Sequence, residues 1–265
     1  MRILVINPNT TASMTAKIGK AAASVASAGT QIISVNPADG PPSIEGYFDE
    51  VFAIPGIIAE MKKEAAIDAY VIACFDDTGL DAARCAAEAP VIGIGEAAFH
   101  LASLVAGKFS VVTTLARSVP AIEHNLAKYG LASRCAKVRS SEVAVLDLEL
   151  PGSGARRRIS VEIARAISED KAEAIVLGCA GMADLASSLS QEHGIPILDG
   201  VACAVALAEG LVRVGLTTSK VGGYAAPRGK RFSGIYASLS PAGAAEAVIS
   251  PKAPGLTNKG PVSRD

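Results

Sequence analysis

The sequence predicts an α/β fold of two similar, pseudo-symmetric domains, each a mainly parallel sheet flanked by helices. The first observation behind this prediction is a series of short apolar runs that alternates with Ala-rich stretches of helical spacing. Continuous runs of Val, Ile and Leu are typical of strands that are buried on both faces, as in parallel sheets. The second observation is that the pattern of runs repeats along the chain. The predicted strands are 3–6, 31–35, 69–73, 91–94, 109–112, 143–146, 174–177 and 195–198.

The repeat is clearest at two strands that each lead into a cysteine. The run Ala-Tyr-Val-Ile-Ala before Cys74 matches Ala-Ile-Val-Leu-Gly before Cys179, and a turn of small residues and a helix follow each cysteine. Two earlier strands, 3–6 and 109–112, match at nearly the same offset and both lead into turns that contain Thr. Two such halves can face each other across a pseudo-two-fold axis. The sequence therefore predicts an active site in the cleft between them.

The same repeat sets the predicted domain boundaries. With 265 residues, half of them hydrophobic, the chain is long enough to bury two cores. We expect residues 1–97 together with about 207–235 to form the first lobe, and residues 98–206 to form the second. Residues 240–265 contain few large apolar side chains, so we expect a flexible tail there.

Composition and charge exclude several classes of partner. The chain has 25 Lys and Arg against 26 Asp and Glu, and this balance provides no basic field for nucleic acid. The first apolar run, 3–6, is too short for a signal peptide or a membrane span. We therefore expect a cytoplasmic protein that binds a small molecule and has no nucleic-acid or membrane partner. Its five cysteines lack Cys-x-x-Cys spacing and are expected to stay thiols.

Cys74 and Cys179 are candidate acid and base groups because of where their strands end. In an open parallel sheet, the carboxyl ends of the strands and the amino ends of the following helices line the ligand crevice. A helix amino terminus carries partial positive charge, so we expect a lowered pKa for both thiols. Racemisation without a cofactor needs a base on one face of the reacting carbon and an acid on the other. Two opposed thiols meet that need.

Groups near the same strand ends are predicted to bind the substrate. Backbone amides in the turns after the cysteines can donate to a carbonyl oxygen that gains charge during proton abstraction. Polar, uncharged side chains at the ends of the two earlier strands can hydrogen-bond amide groups of the substrate. The candidates are Asn9, Thr113 and Thr114 at the early strands, and Phe75, Asp76, Ala180 and Gly181 in the turns.

Simpler interpretations compete with this chemistry. Cysteine is often a small buried hydrophobe, which is our expectation for Cys85, Cys135 and Cys203. The segment Gly-x-Gly-x-x-Ala at 93–98 imitates a dinucleotide fingerprint, but the next strand, 109–112, does not end in the acidic residue that such a site requires. The three histidines are scattered without metal-ligand spacing, so we expect no metal site.

Four short motifs together resemble the Asp/Glu/hydantoin racemase superfamily, and the resemblance covers roughly residues 1–235. It implies two pseudo-symmetric α/β domains, proton transfer without metal or pyridoxal phosphate, and a homo-oligomeric assembly. The hydantoin branch of the superfamily is the nearest match. The motifs are Ile-Asn-Pro-Asn-Thr-Thr at 6–11, Ser-Ile-Glu-Gly at 43–46, Cys-Phe-Asp-Asp-Thr-Gly-Leu at 74–80 and Leu-Gly-Cys-Ala-Gly-Met at 177–182.

The resemblance also implies roles for matching positions. It makes Cys74 and Cys179 the acid/base thiols, and Ile44 a residue that lines the pocket. It further implies that the backbone around Phe75 and Ala180-Gly181 contacts the substrate ring. The amino-acid racemases of the superfamily typically carry Asp-Ser-Gly after the first strand, with Asn-Thr and Thr-His after the cysteines, and this chain has none of these there. That departure favours a neutral cyclic ureide over free aspartate or glutamate.

The predicted function is cofactor-independent racemisation of 5-monosubstituted hydantoins, whose C5 proton is acidified by an adjacent carbonyl. The closest alternative is racemisation of allantoin, because allantoin is itself a 5-substituted hydantoin. Two further alternatives are an enzyme of the maleate isomerase and arylmalonate decarboxylase branch, and a two-lobed small-molecule-binding protein. Retention of both cysteines argues against the decarboxylase, and a binding protein tolerates the loss of both thiols.

Overall fold

A computed structural model describes residues 1–241, which contain two four-stranded sheets with every strand pair parallel. The strand order is β2-β1-β3-β4 in the first sheet and β6-β5-β7-β8 in the second, so the two sheets share one topology. This architecture confirms the predicted fold class. The strands are β1 (Arg2–Ile6), β2 (Gln31–Val35), β3 (Ala69–Ile72), β4 (Val91–Gly93), β5 (Phe109–Thr113), β6 (Cys135–Ser140), β7 (Ala174–Gly178) and β8 (Ile197–Asp199).

Helices connect the strands and cover both faces of each sheet. The right-handed crossover that joins parallel strands requires such a connection, and the Ala-rich stretches between the apolar runs supply it. The helices are α1 (Ala12–Val25), α2 (Tyr47–Lys63), α3 (Leu80–Ala86), α4 (Ile94–Val105), α5 (Val119–Lys128), α6 (Ala155–Glu169), α7 (Ala186–His193) and α8 (Gly200–Arg213).

The largest apolar cluster joins the two sheets. It contains strand residues of both, and α4 and α8 each contact strands of both sheets. The fully buried ring of Phe99 on α4 lies 5.4 Å from that of Phe75 and 6.1 Å from that of Phe109. These three rings connect the loop after β3 to the first strand of the second sheet. Replacing a buried phenylalanine by alanine costs about 3–5 kcal/mol, so this contact contributes strongly to holding the halves together.

One predicted strand is wrong. The run 143–146 is not a strand, because Val145–Glu149 forms a 3-10 turn, and the sixth strand is instead Cys135–Ser140. This strand lies at the edge of its sheet, and Lys and Arg interrupt its apolar residues. Its Arg139 is buried and its Nε lies 2.5 Å from Asp170 Oδ2. An edge strand stabilised by an ion pair leaves a weak hydrophobic signal in the sequence.

The chain divides into two compact units, Met1–Ala226 and Pro227–Asp265. The first contains both sheets and the eight helices named above. In the second, the described residues 227–241 include a 3-10 turn at Gly234–Leu239. The predicted tail at 240–265 lies, beyond Pro241, outside the described residues. The predicted lobe boundaries near residues 97 and 206 fall inside α4 and α8, and the division into lobes stays a prediction.

No helix in the described part of the chain is both long and apolar enough to cross a membrane. Within residues 1–241, no group of three or more His, Cys, Asp or Glu side chains is arranged to hold a metal ion. The cytoplasmic location and the homo-oligomeric assembly stay predictions from the sequence.

Candidate active site

The two candidate thiols lie after equivalent strands. β3 and β7 occupy the same position in their sheets, and Cys74 and Cys179 follow their carboxyl ends. The carboxyl ends of parallel strands form the usual ligand crevice of such sheets. Both cysteines line one cavity. The fold therefore brings together two thiols that are far apart in the sequence.

Most of the predicted binding residues also line this cavity. They share it with apolar side chains and with an asparagine that sequence reasoning did not select. The predicted residues in the wall are Asn9, Ile44, Phe75, Asp76, Thr114 and Ala180, together with both cysteines. The additional ones are Asn7, Pro8, Met14, Ala73, Ser118, Val145 and Gly178. The wall thus combines a polar floor with apolar sides, as small-molecule sites commonly do.

Thr113 and Gly181 are predicted site residues that do not belong to the wall of this cavity. The fully buried Thr113 hydroxyl donates to the Gly178 carbonyl oxygen at 2.9 Å and joins the ends of β5 and β7. A Cβ at Gly178 would lie 2.8 Å from the Thr113 Cβ, so only glycine fits there. The Gly181 amide interacts with the Cys179 thiol. Both residues therefore position Cys179.

Asn7 is a site residue that sequence reasoning missed, although it belongs to one of the motifs. Its side-chain amide donates to Asn9 Oδ1 at 2.9 Å and to Thr15 Oγ1 at 3.0 Å. Asn9 Oδ1 also accepts from the Thr11 amide at 2.9 Å. These bonds fix the orientation of the Asn9 side chain in the cavity. The signal in the sequence was the pair of asparagines that flanks Pro8 directly after β1.

Asp77 holds the loop that carries Cys74. Its buried carboxylate accepts from the amides of Gly95 at 2.9 Å and Glu96 at 2.8 Å, and from the Tyr129 hydroxyl at 2.8 Å. The two amides belong to the first turn of α4, whose partial positive charge favours an anion. Asp77 also adopts a left-handed backbone conformation with φ of 52°. The loop is therefore held in a strained turn by three hydrogen bonds.

The same contacts explain the Gly-x-Gly segment at 93–98. A Cβ at Gly95 would lie 2.3 Å from the Phe75 carbonyl oxygen, and one at Gly93 would lie 2.2 Å from Asp77 Oδ1. The glycines are needed because the Asp77 loop packs against this helix end. The amino terminus of α4 is thus occupied by the carboxylate of the protein itself, and a dinucleotide pyrophosphate has no access to its amides.

The expectation of lowered thiol pKa values is wrong. Burial raises the pKa of Cys179 to about 12 and raises the pKa of Cys74 well above its ordinary value. Cys74 lies well before α3, which begins only at Leu80, and Cys179 precedes a 3-10 helix, Ala180–Leu185, rather than an α-helix. The favourable field of a helix falls off within its first turn. Desolvation therefore dominates for both sulfurs.

Smaller effects distinguish the two thiols. The Asp76 carboxylate raises the pKa of both, whereas Glu50 adds to the rise at Cys74 and Lys17 opposes it at Cys179. The Thr78 hydroxyl donates to Cys74 Sγ at 3.3 Å, which favours its thiolate. Burial and the nearby Glu50 and Asp77 raise the pKa of Asp76 itself to about 7. The two thiols therefore lie among different charges, because Lys17 and Glu45 act on Cys179 and Glu50 acts on Cys74.

Known proteins match this chain over most of its length. A family model described as Asp/Glu/Hydantoin racemase matches residues 3–208. The hydantoin racemase of Rhizobium meliloti is 50% identical over 236 residues, which cover 88% of this chain and 98% of the relative. For the hydantoin racemase of Pseudomonas sp. (strain NS671), the identity is 47% over 236 residues, and the coverage is 88% of this chain and 95% of the relative.

Solved structures agree with the sequence relatives. The structure of allantoin racemase from Klebsiella pneumoniae matches with a TM-score of 0.89 and 47% sequence identity, covering 91% of this chain and 99% of that one. The chain therefore belongs to the Asp/Glu/hydantoin racemase family of isomerases.

Proposed function

We propose that this enzyme racemises 5-monosubstituted hydantoins at C5 by a two-base mechanism that uses Cys74 and Cys179 and no cofactor. The observation that carries the proposal is that the two thiols line one cavity from equivalent strand ends of the two sheets. A thiolate on one face of the ring removes the C5 proton, and the thiol on the other face returns a proton. The configuration at C5 inverts, and the two sulfurs exchange their protonation states.

The thiolate is stabilised by groups of its own loop. The backbone amide of Asp76 interacts with the Cys74 sulfur, and that of Gly181 interacts with the Cys179 sulfur. Hydrogen bonds to the charged form favour it and offset part of the desolvation cost. These two amides therefore support the sulfurs, whereas the sequence had suggested that they bind the substrate carbonyl. At Cys179, Lys17 also favours the thiolate, whereas Asp76 and Glu45 oppose it.

Allantoin is the second candidate substrate. The specific observation in its favour is the structural match to an allantoin racemase at 47% identity, beside matches to hydantoin racemases at 47% and 50%. Both substrates contain the same ring and the same acidic C5 proton, so the proposed proton transfer serves either. The choice depends on the contacts of the 5-substituent.

The proposal is tested by circular dichroism of optically pure 5-benzylhydantoin, 5-isopropylhydantoin and allantoin in deuterated buffer. We expect the signal to decay to zero faster than in an enzyme-free control, with deuterium at C5 of the product. Deuterium at C5 reports proton exchange with solvent, which a two-base mechanism requires. No acceleration with any of the three compounds would refute the proposal and favour the isomerase or binding-protein alternatives.

A further inference from the structure

A second cavity adjoins the one that contains the thiols. Asp76 belongs to the walls of both cavities. Its other residues come from α2, from the loop after β3 and from α5. They are Tyr47, Glu50, Asp77, Ala121, His124 and Asn125. Asp76 is therefore the residue that the two cavities share.

Glu50 is the unusual residue of the second cavity. It lies in the first turn of α2, and its Oε1 atom is buried without a hydrogen-bond partner among the described residues. Burial raises the pKa of this carboxyl. A buried acceptor without a donor costs about 1–3 kcal/mol, and more when it is charged. Such an atom in a cavity wall points to a donor that arrives with a ligand.

Two donors near the cavity bond to the loop after β3. The Asn125 side-chain amide donates to the Asp76 carbonyl oxygen at 2.8 Å. The Tyr129 hydroxyl donates to Asp77 at 2.8 Å. Neither donor bonds to Glu50, which lies in the wall with Asp76, Asp77 and His124. The cavity is therefore lined by carboxyl groups and suits a ligand group with N–H donors.

We propose that the second cavity receives the 5-substituent of the substrate and that Glu50 accepts a hydrogen bond from an N–H group of that substituent. This inference rests on the proposed function and narrows it to hydantoins with donor-bearing substituents. A ureido group, as in allantoin, presents two adjacent N–H groups that match the two oxygens of a carboxylate. A branched alkyl group leaves Glu50 unpaired. A site built around a hydrogen bond discriminates strongly against analogues that lack the donor.

The test measures racemisation of three substrates by the wild type, Glu50→Met and Glu123→Gln. The substrates are allantoin (5-ureidohydantoin), 5-(4-aminobutyl)hydantoin and 5-isobutylhydantoin. Glu123 is an exposed residue of α5 beside the cavity, so its variant removes a nearby charge without changing the wall. For the wild type we expect a kcat/KM at least about tenfold higher with a donor-bearing substituent than with isobutyl. Because Glu50 also raises the pKa of Cys74, the readout is the ratio of kcat/KM for that substrate to kcat/KM for isobutyl, which Glu50→Met should lower by about tenfold or more. Glu123→Gln should match the wild type.

Thermal unfolding supplies a second readout. Because Glu50 Oε1 lacks a partner in the free protein, Glu50→Met should raise the Tm while it lowers activity on the donor-bearing substrate. Equal preference of the wild type for the donor-bearing and isobutyl compounds, or equal loss with both in Glu50→Met, would overturn the inference and leave the proposed function intact. A preference for ureido over aminobutyl identifies a neutral donor, and the reverse a cationic one. No racemisation of any compound would instead contradict the proposed function.

Discussion

The two cysteine loops share a position in the fold and differ in chemistry. After β3, Cys74 is followed by Phe-Asp-Asp-Thr, and after β7, Cys179 is followed by Ala-Gly-Met. The first loop thus contains two carboxyl groups and a hydroxyl close to its thiol, and the second contains no ionisable side chain in the same span. The repeat therefore preserves the backbone and the thiol, whereas the charged groups near the thiol differ between the two loops.

This divergence makes the two thiols unequal. At Cys74, the charges of Asp76 and Glu50 both add to the rise in pKa that desolvation causes. Desolvation also raises the pKa of Cys179, where Lys17 opposes the rise and Glu45 adds to it. A racemase has an equilibrium constant of one, so kcat/KM must be equal in both directions. The inequality of the thiols is therefore measurable in isotope exchange and in pH dependence, and not in a preferred direction.

The largest expected effect comes from removing either thiol. Cys74→Ser and Cys179→Ser should each lose at least about a thousandfold in racemisation of both enantiomers, because each direction needs one base and one acid. The remaining thiol should still exchange the C5 proton of one enantiomer for solvent deuterium with retained configuration. The two variants should act on opposite enantiomers. Chiral chromatography with mass spectrometry measures both quantities.

Cys85→Ser is the matched control for these variants. Cys85 lies on α3, is half-buried and does not line the cavity of the two thiols. Its variant should racemise at the rate of the wild type. Racemisation by both Cys74→Ser and Cys179→Ser at wild-type rates would exclude the two-thiol mechanism.

The second effect concerns Asp76, which disfavours both thiolates. In Asp76→Asn this repulsion is absent, so the pH–rate profile for 5-benzylhydantoin should move to lower pH. The pH range in which the two enzymes differ follows from the pKa of Asp76, which is about 7. Below this pH the wild-type carboxyl is protonated and the two enzymes should agree. Above it the variant should be faster, by about threefold to tenfold at pH 8.

Initial rates between pH 6 and 9 measure the difference between Asp76→Asn and the wild type. An apolar substituent is used so that contacts in the second cavity do not contribute. A profile of the variant that coincides with the wild type above pH 7, at unchanged Tm, would show that Asp76 does not control the thiols.

The smallest effect is expected at Thr78. Thr78→Val removes the hydroxyl that donates to Cys74 Sγ at 3.3 Å, and a sulfur acceptor at this distance gains little from the bond. We expect kcat/KM to fall by about threefold in both directions. Deuterium exchange that depends on Cys74 as the base should slow, while exchange that depends on Cys179 should not. Equal slowing of both exchange reactions would contradict the assignment of this bond to one thiol.

The sequence by itself determined the fold class, seven of the eight strands and the equivalent positions of the two cysteines after their strands. Apolar periodicity and internal repetition are linear properties of the chain, and both are strong here because the central strands are buried on both faces. The edge strand Cys135–Ser140 was not predicted, because its buried Arg139 pairs with the distant Asp170 and gives no apolar signal.

Only the tertiary structure decided the electrostatics of the site. The pKa of a thiol depends on how much solvent the fold removes and on which charges it brings near, and these charges come from α1 and α2 as well as from the loop itself. The same applies to Asp77, whose partners lie on α4 and beside α5, and to the unpartnered oxygen of Glu50. Local sequence specifies which groups are present. Burial and contact between distant segments specify what those groups can do.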